Sequence, residues 1–119
     1  MNGNVAWMLE LKVQDGRGSD FRALMAEMAT ATEANEPGTI AYEWNTSADG
    51  TICHLYERYV DSAAAMVHIG TFGSQYAGRF FEVLAPTGFT VYGTPNAEVK
   101  AALAGFNPVY LAPAAGFSR

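Results

Sequence analysis

The sequence predicts an α+β domain of the split βαβ plan: an antiparallel sheet with its helices on one face. Three observations predict it. Period-two alternation marks strands near residues 5–13, 39–46 and 52–60. Helix-period stripes fall on either side of the second and third of these. An Asp49-Gly50 turn, the strongest short hairpin signal in the chain, joins those two strands as antiparallel neighbours.

Each element has its own reason. In the first strand Val5, Trp7, Leu9, Leu11 and Val13 share one face, while the other starts apolar with Ala6 and Met8 and ends charged with Glu10 and Lys12. Asp15-Gly16-Arg17-Gly18 reads as a turn, with Ser19 or Asp20 placed to cap the helix that follows. Phe21, Leu24, Met25 and Met28 form an i, i+3, i+4, i+7 stripe, and Pro37-Gly38 ends that helix. The second strand carries Ile40, Tyr42 and Trp44 on one side. After the hairpin, the third has Cys53, Leu55 and Tyr59 on one face and His54, Tyr56 and Val60 on the other. Asp61 or Ser62 caps a helix through His68, which Gly70 and Gly73 are expected to break. A further helical stretch with Tyr76, Phe80 and Leu84 at fourfold spacing is expected to stop at Pro86, before a fourth strand over about residues 87–93. Asn96 can cap a short helix that Gly105 terminates, and Val109-Tyr110-Leu111 makes a last short strand. The whole of residues 1–119 reads as one domain, with a core over 5–94 and a helix-and-strand extension over 95–119.

Composition bounds the function. A domain of this length buries only about two-thirds of its unfolded surface, yet half the residues are hydrophobic and 13% aromatic. The third and fourth strands are apolar on both faces, whereas a sheet face in water shows polar alternation. A second copy laid against the open face covers it most simply, so a homodimer is expected. The net charge of −5 and seven scattered basic residues exclude a nucleic-acid footprint. A lone Cys53, no apolar run of membrane-spanning length, and an opening Met1-Asn2-Gly3-Asn4 without signal-peptide features lead to the expectation of a cytoplasmic protein without a membrane partner. Cys53 itself reads as a small buried hydrophobe.

Several weak motifs in fixed order then carry a resemblance: Glu36-Pro37-Gly38-Thr39, Tyr56-Glu57-Arg58-Tyr59, Ala63 to Ala65, and His68. Together they resemble the antibiotic biosynthesis monooxygenase (ABM) domain over about residues 5–94. The resemblance implies a ferredoxin-like subunit that pairs as a dimeric α/β barrel, with a pocket between sheet and helices. It also implies oxidation of electron-rich aromatics, such as quinols and anthrones, without metal, flavin or haem. The haem-degrading branch of the family is a poorer match, since its axial histidine position is Gly78 here and its first-strand asparagine is Leu9. Many members carry a second histidine just after the first, where this chain has Phe72-Gly73.

Oxygenation without a cofactor requires the substrate to supply an electron, which a phenolate or carbanion does best. The protein must then offer a proton shuttle, a flat apolar slot and a donor for the developing anion. His68 is the expected shuttle, because an ordinary imidazole titrates near neutrality. Tyr56 and Arg58 are the expected partners, Arg58 steadying negative charge, with an interface or cross-strand network as the alternative for the pair. Trp7, Trp44, Phe72, Tyr76 and Phe80 are the expected walls for the ring, with core packing as the alternative for Phe80. No metal or cofactor motif occurs, so no cofactor is expected. The reading is a cofactor-independent monooxygenase of a small aromatic substrate. A non-catalytic module binding an apolar metabolite in the same pocket, or less favourably a haem-handling protein, are the alternatives.

Overall fold

Strand pairing decides which side chains can meet. The structure, a computed structural model, describes residues 2–119. Strands β1 (Val5–Val13), β2 (Thr39–Thr46), β3 (Ile52–Tyr59), β4 (Leu84–Gly93) and β5 (Val109–Leu111) form one sheet in the order β2-β3-β1-β4-β5. The first four pair antiparallel, giving the ferredoxin-like α+β arrangement. The fifth runs parallel to β4, which makes the sheet mixed where antiparallel pairing is expected. The reason is the connection: helix α4 (Ala97–Leu103) lies between the two strands, and a crossover of that length returns the chain in the same direction.

Register aligns rows of side chains across the sheet. Tyr42, Glu57, Trp7 and Val91 are successive partners on the helix-covered face. One residue along, Ala41, Arg58, Ala6 and Tyr92 form the equivalent row on the open face. Because side chains alternate, neighbours in sequence such as Glu57 and Arg58 are on opposite sides of the sheet.

Helices α1 (Gly18–Asn35), α2 (Ser62–Thr71) and α3 (Ala77–Val83) pack on one face. Helix α1 buries Phe21, Leu24, Met28 and Thr32. Its start differs from expectation: Gly18 is already helical, no side chain caps the end, and Asp20 instead accepts from Arg17 at 2.8 Å. Helix α2 is capped by Asp61, whose Oδ1 accepts from the Ala64 backbone at 2.9 Å.

Gly70 and Gly73 do not break the second helix. It continues through a π-helical turn, Phe72–Tyr76, into α3. Neither glycine meets a neighbour that a side chain would strike, so their cost here is only the propensity penalty, about 1 kcal/mol each. Packing of Tyr76 and Phe80 against the sheet outweighs it. Pro86, expected to end the helix, instead lies within β4 opposite Leu11. The β1–β4 register shifts between Glu10 and Leu11, and an irregularity of this kind is where a strand tolerates a missing N–H. Asn107, with φ of 51°, supplies the left-handed residue after α4 and its trailing 3-10 turn, a role expected of Gly105.

Two buried clusters fill the space between sheet and helices. One gathers Leu11, Phe21, Leu24, Met28, Leu55 and Phe80 among others, and the second gathers Val5, Trp7, Tyr59, Ala65, Val91, Val99 and Leu103. Cys53 is fully buried among the first. No helix among the described residues is long and apolar enough to cross a membrane.

Candidate active site

Between the two clusters a cavity of about 70 Å³ opens against the sheet. Its walls are apolar: Trp7, Leu9, Phe72, Phe80, Phe89 and Phe106 among them. Glu57 and His68 are its charged residues.

His68 reaches the cavity because the Asp61 cap sets the phase of α2, turning Ala65 and His68 toward the sheet. Glu57 reaches it from mid-β3, in the row with Tyr42 and Trp7. Glu36 arrives from the turn after α1, and Gly38 allows that turn to close on α2. A Cβ on Gly38 would lie 2.6 Å from the Ala64 Cβ. The turn is further tied down by Val60 N–H donating to the Gly38 carbonyl at 2.9 Å.

The imidazole is bracketed by carboxylates. His68 Nδ1 lies 2.9 Å from Glu36 Oε1 and Nε2 lies 3.0 Å from Glu57 Oε1. His68 and Glu36 are each 6% exposed and Glu57 only 3%. With both ring nitrogens facing carboxylate oxygens, the neutral ring would set one lone pair against an anion, so the geometry calls for the imidazolium. Burial alone would push the His68 pKa down, but the hydrogen bonds to Glu36 and Glu57, with their charges, raise it to about 10. For Glu36, burial opposes ionisation, while the bonds from His68 and Thr39 outweigh it and hold its carboxyl below the usual range. The carboxylates lie on opposite sides of the ring and cannot share an ion. Among the described residues, no three such side chains converge on a point that could hold a metal.

Phenols complete the cluster. Tyr59, fully buried, donates its hydroxyl to Glu57 Oε1, and its ring lies 4.7 Å from that of Trp7 and 5.5 Å from His68. Burial, with the Glu57 charge next, keeps it protonated far above the ordinary range. Tyr42 sets its ring edge-on to His68 at 5.3 Å. Burial likewise keeps Tyr42 a neutral phenol. Its hydroxyl and the Trp44 indole N–H are buried without a well-formed hydrogen bond, although Thr32 and Trp44 flank the hydroxyl.

The residues singled out from sequence fall in three places. His68, Trp7, Phe72 and Phe80 line the cavity. Trp44 and Tyr76 sit behind it, Trp44 against Phe21, Tyr42 and Phe80, and Tyr76 in the core beneath Arg79. Tyr56 and Arg58 lie on the open face, in a depression of about 500 Å³ with Asn4, Tyr92, Phe117 and Ser118. There Arg58 donates to Ser118 Oγ at 2.9 Å. Glu36, Glu57 and Tyr59, which stand in the motifs of the family resemblance, and Tyr42 were not given a site role. The available signal was parity, since Glu57 is a carboxylate on the face of β3 that otherwise carries Cys53, Leu55 and Tyr59.

The fold is shared with known proteins. The profile of the family described as antibiotic biosynthesis monooxygenase matches residues 5–75. The chain belongs to the antibiotic biosynthesis monooxygenase family. Among solved structures it is similar to Rv0793 from Mycobacterium tuberculosis, with 32% identity, a TM-score of 0.60, and 74% of this chain and 91% of that one covered. MupZ from Pseudomonas fluorescens shares the fold over 99% of this chain and 96% of its own, at 20% identity and a TM-score of 0.83. SnoaB from Streptomyces nogalater, a cofactor-independent oxygenase, shares it at 15% identity and a TM-score of 0.65, covering 80% of this chain and 96% of that one. No curated relative matches at a significant level. Family membership supports a monooxygenase reading for this domain.

Proposed function

We propose that the protein is a cofactor-independent monooxygenase that takes a small planar aromatic substrate, quinol- or anthrone-like, into the cavity beside His68. The observation that carries this reading is a cavity walled by aromatic and aliphatic side chains with one buried charged cluster on its wall. Such a chamber excludes water from a reactive anion and strengthens each electrostatic contact made inside it. His68 acts as a fixed cation. Held protonated by Glu36 and Glu57, it stabilises the substrate anion from which an electron passes to oxygen, a role in place of the proton shuttle first expected. Trp7, Phe72 and Phe80 orient the ring, with Trp44 and Tyr76 supporting that wall from behind.

The working unit in this proposal is a homodimer in the cytoplasm. Supporting it, the open sheet face leaves Tyr92 37%, Ile52 42% and Leu111 52% exposed, more apolar surface than a solvated sheet face normally shows. Tyr56 and Arg58 would then meet the partner subunit, and any effect they have on the cavity is indirect. The test is oxygen uptake by the purified protein mixed with reduced quinols and anthrones. Acceleration above the spontaneous rate is expected. Binding without acceleration would instead identify a metabolite-binding module.

A further inference from the structure

The two carboxylates around His68 are not equivalent. Glu36 bonds to His68 and Thr39 and does not line the cavity, whereas Glu57 does. Both contacts of the Glu57 carboxylate, from His68 and Tyr59, fall on Oε1. Among the described residues no donor reaches Oε2. A carboxylate at the wall of an apolar cavity ordinarily accepts a hydrogen bond, and Glu57 is the carboxylate that lines this cavity.

We infer that Glu57, through Oε2, accepts the proton of the substrate, and that the site selects a hydroxyl acidified by conjugation to a carbonyl. This rests on the cavity being the substrate site, as proposed above, and names the base and the substrate class within it. The balance is simple. The substrate O–H bond breaks, its proton forms the Glu57 carboxylic acid, and the electron pair stays on the substrate oxygen as a phenolate or enolate. Before the step the cluster holds Glu36 negative, His68 positive and Glu57 negative. After it, the negative charge of Glu57 has moved to the substrate oxygen beside the same imidazolium, and the net charge is unchanged. No charge is created in the apolar chamber, which is the costly event there.

The other groups facing Glu57 cannot take the proton. His68 from α2 already carries one on each nitrogen, while Tyr59 from β3 and Tyr42 from β2 are neutral phenols. Glu36 lies beyond the imidazolium. The substrate class follows from acidity. An unactivated phenol is about 6 pK units less acidic than a carboxylic acid, a factor of about 10⁶ against transfer. A hydroxyl conjugated to a carbonyl closes much of that gap, while the imidazolium faces an anion both before and after the step.

The probe is 4-hydroxybenzaldehyde, a single-ring phenol conjugated to a carbonyl, whose phenolate absorbs at longer wavelength than the neutral form. It is added anaerobically at pH 6, where it is mostly neutral in water. The wild-type protein is expected to bind it as the phenolate, with a protonated-carboxyl band appearing in the infrared difference spectrum. Glu57→Gln is expected to lower the bound phenolate fraction at least about tenfold. Glu36→Gln should retain the carboxyl band, because the proton sits on Glu57. Binding of the neutral phenol by the wild-type protein, or no binding, overturns the inference without any variant having to fold. So does a phenolate band that persists in Glu57→Gln. Because no oxygen is consumed, these outcomes stand apart from success or failure of the oxygenase reading.

Discussion

The two histidines of this protein make similar contacts on opposite faces of one sheet, and burial separates them. His54, on the open face of β3, stands 3.6 Å from Glu10 with both side chains 44% exposed. His68, on the covered side, is enclosed between Glu36 and Glu57 at 2.9 and 3.0 Å. Water screens the first pair to a contribution of at most a few tenths of a kcal/mol. The second pair lies where screening is weak, so its partners set its charge state. Proximity to a carboxylate is common to both; exclusion of water turns it into a site that stays charged well above neutral pH.

Replacing each histidine by alanine sharpens the contrast most. His68→Ala leaves two buried carboxylates without their cation, and breaking a buried pair in this way costs about 3–5 kcal/mol. Oxygen turnover should fall by about 10²-fold or more, the usual scale for a group that acts on proton or charge in the reaction. His54→Ala should change stability by no more than about 0.5 kcal/mol and leave turnover intact. Chemical denaturation and oxygen uptake on the same samples check both. Equal effects from the two substitutions would break the comparison.

The pH dependence of stability comes next in size. The unfolded chain releases the His68 proton near 6.5, the folded one near 10. Folding therefore takes up a proton between those values. The stabilisation is fully present below about 6.5 and is lost as pH rises toward 10, with a slope of up to about 1.4 kcal/mol per pH unit. Glu36 acts at the other end: its folded pKa is depressed, so its stabilisation is present above 4.5 and lost as pH falls below it. Melting temperature should thus decline on both sides of a plateau, and His68→Gln should flatten the alkaline limb. An alkaline limb unchanged in that variant would locate the titration elsewhere.

Much of this fold was legible because local signals and tertiary structure agree. Alternation in β1 and β3, the Asp49-Gly50 turn and the Asp61 cap each act over a few residues, and each element forms where its own residues favour it. The π-helical turn and Pro86 within β4 were not legible, because there packing overrides a breaker whose cost is small or falls at a register shift. The site divides in the same way. His68, Trp7, Phe72 and Phe80 could be named from residue type and position. Glu36 and Glu57, 21 residues apart in sequence, become a pair only when α2 is laid on the sheet. Both stand in the motifs of the family resemblance, and Glu57 is also a lone acid in an apolar alternation.

The smallest effect tests where the cavity opens. Its outer wall comes from Phe81 and Phe106, rings stacked with centroids 6.1 Å apart, 37% and 45% exposed yet lining the cavity on their inner sides. Phe106 belongs to the extension beyond the family match, which ends at residue 75. A cavity of about 70 Å³ is small for a ring, and movement of this wall would enlarge it. Phe106 is held by that stack and by an edge contact to Phe89 at 6.3 Å, so it can swing at modest cost. Phe106→Ala should lower stability by about 1 kcal/mol, since half of its ring is already in water. It should also raise kcat/KM for a three-ring anthrone relative to a one-ring quinol by about threefold or more, within the range that a ring or methylene commands in an apolar pocket. A ratio unchanged by the substitution would place the entrance on another wall, with Phe106 merely covering the sheet.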